Sequence, residues 1–140
     1  MIIDDLKLKG RLAIAINGET VSEVDNIVVT TGKGYVASRM KDATATAMSH
    51  MGIGTGSTAA VARDTALGSQ SVRSALTSTT VNTNEVTYVA TSQQFGYRAI
   101  TEAGIFNASS SGTMLCRTVF SVVNKGASDS MTITWTVTVS

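Results

Sequence analysis

Three features of this chain predict an all-β fold, an antiparallel sandwich with one short helix. Thr and Ser make up about a quarter of the residues; Thr in particular suits a pleated, half-solvated surface, because its β-branch is stiff and its hydroxyl tolerates water. The segment 131–140 alternates apolar residues with Thr, so that Ile133, Trp135, Val137 and Val139 fall on one face and Thr132, Thr134, Thr136 and Thr138 on the other. Short β-branched runs recur at hairpin-like spacing along the rest of the chain. Seven or eight such strands with a lone helix make two packed sheets, a jelly roll or another sandwich, since strand order cannot be read from periodicity.

In chain order, Leu6, Leu8, Leu12, Ile14 and Ile16 share one parity, and Lys7, Lys9, Arg11 and Ala13 the other, as in a half-buried strand. Gly10 interrupts the apolar set and suggests a bulge or bend. Asn17-Gly18 supplies the pair favoured by a type I′ turn. A return strand over 19–25 would set Val21 across from Ile14. Ile27 to Thr31 reads as a further short strand, stopped by Gly32-Lys33-Gly34. Tyr35, Val36, Arg39 and Met40 have helical spacing, which predicts one helix of two to three turns over 35–42. Residues 47–56 read as a strand running into a glycine-rich loop, and 57–71 as small, polar and loop-like. Strands are then expected over 72–80, 85–91, 99–107, 113–124 and 131–140.

The totals place this within a single domain of 140 residues, with the first nine as a candidate extended arm. Net charge is +1, with seven basic and seven acidic side chains in 1–70 and four and three in 71–140. Without a basic stripe, phosphate-backbone binding lacks its electrostatic source, so nucleic acid is not an expected partner. No apolar stretch approaches the roughly 20 residues of a membrane-spanning helix, and the N-terminus lacks the pattern of a signal peptide. No membrane partner is expected, and a lone cysteine fits a reducing cytoplasm. Proline is absent, where average usage would give about seven. Because proline commonly guards sheet edges, its absence leaves edge strands open to pairing with neighbouring chains.

The search for chemistry is close to empty. His50 is the only histidine and Cys116 the only cysteine. Cys116 lies in the apolar run 114–116, as a buried small hydrophobe would. His50 is flanked by Ser49 and Met51, and in a chain so rich in serine that neighbour carries no information about a triad. One His and one Cys are too few for a tetrahedral zinc site, and no calcium-loop spacing occurs. Gly52, Gly54, Gly56 and Ser57 miss the dinucleotide and P-loop patterns, as does Gly32-Lys33-Gly34; tight turns explain both. The triplet 107–109 matches a glycosylation sequon by chance. Phe95, Tyr97, Phe106 and Phe120 lack the interleaved basic residues of a base-stacking platform and are expected in the core. No catalytic residue, cofactor or metal is therefore expected.

Taken together, the segments 52–56 (GIGTG), 64–68 (DTALG), 100–108 (ITEAGIFNA), 113–120 (TMLCRTVF) and 132–138 (TITWTVT) resemble small β-rich virion proteins of tailed bacteriophages. The layout over residues 28–140 is most similar to the jelly-roll capsid cement, or decoration, protein of the Bordetella phage type; the first 27 residues carry less of it. The resemblance implies a protein on the capsid exterior, assembled in the host bacterial cytoplasm, that stabilises contacts between major capsid protein subunits. It implies a homo-oligomer, a dimer before a trimer, and no catalytic residues. The rival expectation is a tail-fibre or receptor-binding module, trimeric and directed at bacterial surface glycan or protein. Heptads and repeats, which fibre stalks carry, are missing here. A small hydrolase or glycan-binding module would need a site that the sequence does not show.

Overall fold

In the computed structural model the described residues are 6–41, 45–92 and 98–140, with Ser92 described by its backbone alone. They form nine strands and one helix: β1 (Leu8–Ile16), β2 (Glu19–Val28), α1 (Thr30–Lys41), β3 (His50–Gly54), β4 (Gln70–Ala75), β5 (Ser78–Asn82), β6 (Glu85–Ser92), β7 (Arg98–Phe106), β8 (Met114–Lys125) and β9 (Met131–Val139). Every pairing is antiparallel, and the strand order is β4-β3-β7-β8-β2-β1-β9-β6-β5. The sheet curls into two layers, as in a jelly-roll-like sandwich. One layer holds β3, β4, β7 and β8, and the other β1, β5, β6 and β9. β2 joins them, pairing with β1 over Glu19–Asn26 and with β8 at Ile27 and Val28.

Period-two patterning explains the layers. On β9, Met131, Ile133, Trp135 and Val137 are buried while the four threonines are half-buried on the opposite face. Leu12 and Ile14 of β1, Tyr88 and Ala90 of β6, Ile100, Ala103 and Ile105 of β7 and Cys116 of β8 complete one cluster with them. Asn17 and Gly18 both take positive φ, 52° and 83°, and close the β1–β2 hairpin as their sequence predicts.

Several local expectations are corrected. Val21 does not face Ile14: Ile14 pairs with Ser22, a bulge follows, and Val21 is left exposed. Gly10 lies in regular register, not at a bulge; its missing Cβ leaves room for the Asn26 side chain, which accepts a hydrogen bond from the Trp135 indole at 2.9 Å. The run 27–31 is split, since Ile27 and Val28 extend β2 whereas Thr30 and Thr31 open the helix. The helix therefore starts five residues earlier than its apolar spacing predicts, at Thr30 rather than Tyr35. Gly32 lies within it because the helix packs so closely on the Leu115 carbonyl that a Cβ would not fit. Tyr35 and Val36 pack on the core, but Met40 is exposed. Gly52 and Gly54 are strand residues of β3, so neither they nor the 32–34 glycines form the expected tight turns.

The strand expected over 72–80 is two strands in different layers. β4 pairs with β3 and β5 with β6, and the change occurs where the Leu76 amide donates to Ser49 and the Thr77 amide to Val89. Of the arm expected over 1–9, residues 1–5 lie outside the described residues. Lys7 exchanges backbone hydrogen bonds with Ser140 (2.8 and 2.9 Å), and Leu8 and Lys9 are paired in β1.

Gly10→Ala should force the Asn26 side chain aside and break its bond to Trp135, lowering stability by about 1–3 kcal/mol in urea denaturation. Asn26→Ala should cost less in the Gly10→Ala background than alone, because both changes act on the same contact.

Candidate functional site

Away from their terminal residues, β7 and β8 each carry one charged residue among mostly apolar neighbours, Glu102 and Arg117. The register sets Glu102 beside Val119 and Gly104 beside Arg117, so the two side chains are diagonal neighbours on one face of the pair. This face points away from the main core and lies under the loop 55–69. Neither residue reaches solvent to any useful degree: Glu102 is 0% exposed and Arg117 2%.

Burying charges costs several kcal/mol each unless partners replace water, and here the replacement is extensive. Glu102 Oε1 accepts from Arg117 Nε at 3.1 Å, from Nη2 at 2.9 Å and from the Gly68 amide at 2.7 Å. Oε2 accepts from the amides of Gly56 and Ser69, each at 2.7 Å. The remaining guanidinium donors reach Asp64 Oδ2 at 2.9 Å and the Thr58 carbonyl at 3.1 Å. Asp64 Oδ2 in turn accepts from the Val61 amide at 2.9 Å. Thr101 donates to the Gly56 carbonyl at 2.7 Å, a further tie between β7 and the loop. Gly54 and Gly56 allow this approach, since a Cβ at either would run into the Glu102 carboxylate.

Electrostatics follow from this geometry. Burial alone would push the Glu102 carboxyl up. The amides of Ser69 and Gly68, the Arg117 guanidinium and the Gly56 amide outweigh burial and hold it below its ordinary value. A carboxylate with no exposed surface and five donors around it cannot meet a reacting atom; its chemistry is to fix the loop. Around this clamp, Val29, Phe106 and Met114, with Leu67 from the loop, form a second small core. Arg73 of β4 stacks over the Phe106 ring, 3.6 Å from its centre, and donates to the Ala108 and Ser111 carbonyls.

The residues singled out from sequence occupy plain positions. Cys116 is buried in the main core, where burial pushes its thiol well up and away from thiolate chemistry. His50 Nδ1 lies 2.7 Å from the hydroxyl of its own neighbour, Ser49. Asn107 uses its side chain to hold the 107–113 loop, accepting from the Thr113 amide at 2.7 Å. Phe106 and Phe120 are buried, and Phe95 and Tyr97 lie outside the described residues. Among the described residues no group of three His, Cys, Asp or Glu side chains could hold a metal ion. Nor, among the described residues, is any helix long and apolar enough to cross a membrane.

What sequence reasoning missed is the clamp itself. The available signal was one charge of each sign inside two neighbouring apolar strands, each with glycine-bearing loop segments to receive it. Glu102, Arg117, Asp64, Gly54, Gly56 and Gly68 all fall within the segments that carry the resemblance to phage virion proteins. Compared with protein-family models, with curated proteins and with solved structures, the chain matches none.

Glu102→Gln keeps the shape but leaves Arg117 undercompensated, and should cost about 3–5 kcal/mol at neutral pH. The contribution is largest above the ordinary glutamate value of 4.5 and is lost as pH falls through the lower folded-state value. The gap between the melting curves of the two proteins should therefore begin to narrow below about pH 4.5 and close only below the folded-state value. A gap that stays constant would show that the charge is not what matters.

Proposed function

We propose that this chain is a bacteriophage capsid cement protein, which binds the outer surface of the head and stabilises contacts between major capsid protein subunits. The observation that carries the reading is the convergence described above. The segments resembling phage virion proteins are dispersed in sequence, yet charged and glycine residues from four of the five meet in one buried clamp that shapes a surface loop. Such a construction serves a rigid binding surface, and the proposed role is one of surfaces without catalysis.

Two further features support it. The outer face of β9 is a ladder of half-buried threonines beside Arg11, which is paired with Glu23 at 3.0 Å and Asp25 at 3.1 Å. A face of short hydroxyls and internally paired charges suits broad, weak contacts, and weak contacts repeated over hundreds of shell sites become strong through multivalency. Homo-oligomers arranged on the capsid's own symmetry axes would supply that repetition. Placement on the tail, as a receptor-binding module, is the alternative outcome of the test below.

Purified protein should co-sediment with cement-stripped phage heads, saturating at a fixed ratio to shell subunits, and should not bind host cells. Removing Met1 to Asp5 should weaken head binding several-fold while leaving the melting temperature within about 2 °C, the usual outcome of trimming a chain terminus. Binding to cells and not to heads would overturn the capsid reading.

A further inference from the structure

The strand order leaves two edges, and they differ. β4 carries Arg73, and its pairing with β3 is broken by an irregularity at Ile53/Gly54. β5 has neither device. Its sequence, Ser78 to Asn82, contains no charge, and its register with β6 runs unbroken from Ser78↔Val89 to Asn82↔Glu85. All five residues are exposed, and the strand order places no described strand beyond them. Edges in soluble proteins are ordinarily guarded by lysine, proline or a bulge. Here none of these is present, and Val81 is 70% exposed. Its register partner, Val86, packs against the main core, so Val81 continues that apolar face one strand past its cover.

We propose that β5 pairs antiparallel with β5 of a second copy, about a two-fold axis through Thr80, joining the two sheets edge to edge. A two-fold contact must be self-complementary, and this strand is. With Thr80 opposite Thr80, Thr79 meets Val81 of the second copy and Ser78 meets its Asn82. No like charges are opposed, and each Val81 gains a neighbour on the face where it lacks one. Ser78, Thr80 and Asn82 share the opposite face with Thr87 and, beyond it, Thr136, so the pairing also extends the threonine surface across both copies. A strand of five residues buries less than a standard interface, so the dimer forms in the micromolar range or above. The inference does not depend on the capsid reading, because the isolated protein reports on it.

The test is sedimentation velocity of the full chain across low to high micromolar concentration, with two variants. The wild type should pass from monomer to dimer. Val81→Lys, which places charge at a pairing edge, should raise the midpoint at least tenfold. Thr80→Cys should form a disulfide-linked dimer in a glutathione redox buffer, whereas Ser121→Cys, exposed on β8, should not. Should Val81→Lys fail to fold, the cysteine pair decides alone. A protein that stays monomeric throughout, including one that binds heads as a monomer, would overturn the proposal. So would a dimer that ignores Val81→Lys and does not cross-link through position 80.

Discussion

A glutamate with no exposed surface keeps its charge only where donors replace the water it has lost, and that requirement organises the half of the molecule built on β7 and β8. Three loop amides and a guanidinium surround Glu102. Each amide belongs to the segment that crosses the outer face of the strands, so satisfying the carboxylate and folding the loop are one event. The cooperation is reciprocal. The loop excludes water from the ion pair, which strengthens it, and the ion pair holds a segment of mostly small, exposed residues that would bury too little apolar surface to stay in place alone. A dry network of this kind is stabilising only while complete, since losing one partner leaves another charge stranded.

The other half of the sandwich is held by different means. β1, β6 and β9 rely on alternation, with Trp135 at the centre of the buried face and Asn26 reaching across Gly10 to accept a hydrogen bond from its indole. Their outer face offers threonines, short ion pairs and an unguarded edge. The molecule thus divides into a layer braced on its outer side by the clamped loop and a layer whose outer side is bare sheet. For a protein proposed to act by contact, the bare sheet and the shaped loop are two surfaces that the described residues offer to partners.

Much of the fold was legible because periodicity is a local property. The alternation of β9, the hairpin at Asn17-Gly18 and the spans of β6, β7 and β8 follow from side-chain parity and turn chemistry. Errors came where long-range packing overruled local pattern. Gly32 and Gly34 read as the stop of a short strand, yet both lie inside α1, which packs on the Leu115 carbonyl at Gly32. No Gly, Pro, Asn or Asp marks the break between β4 and β5, because the chain changes layers there by exchanging hydrogen-bond partners rather than by turning tightly. The clamp was invisible for the same reason. Glu102 and Arg117 are 15 residues apart, and only the β7–β8 register makes them neighbours.

The claim on which this account rests is that the loop 55–69 is held by a buried charge and not merely laid across the sheet. Amide hydrogen exchange at Gly56, Gly68 and Ser69 tests it most directly. If the Glu102 carboxylate holds these amides, they should exchange only through global unfolding, with protection matching that of core amides in β7 and β8. Fast exchange at these three positions, while the strands beneath stay protected, would contradict the account, because the loop would then open without disturbing the charge said to anchor it.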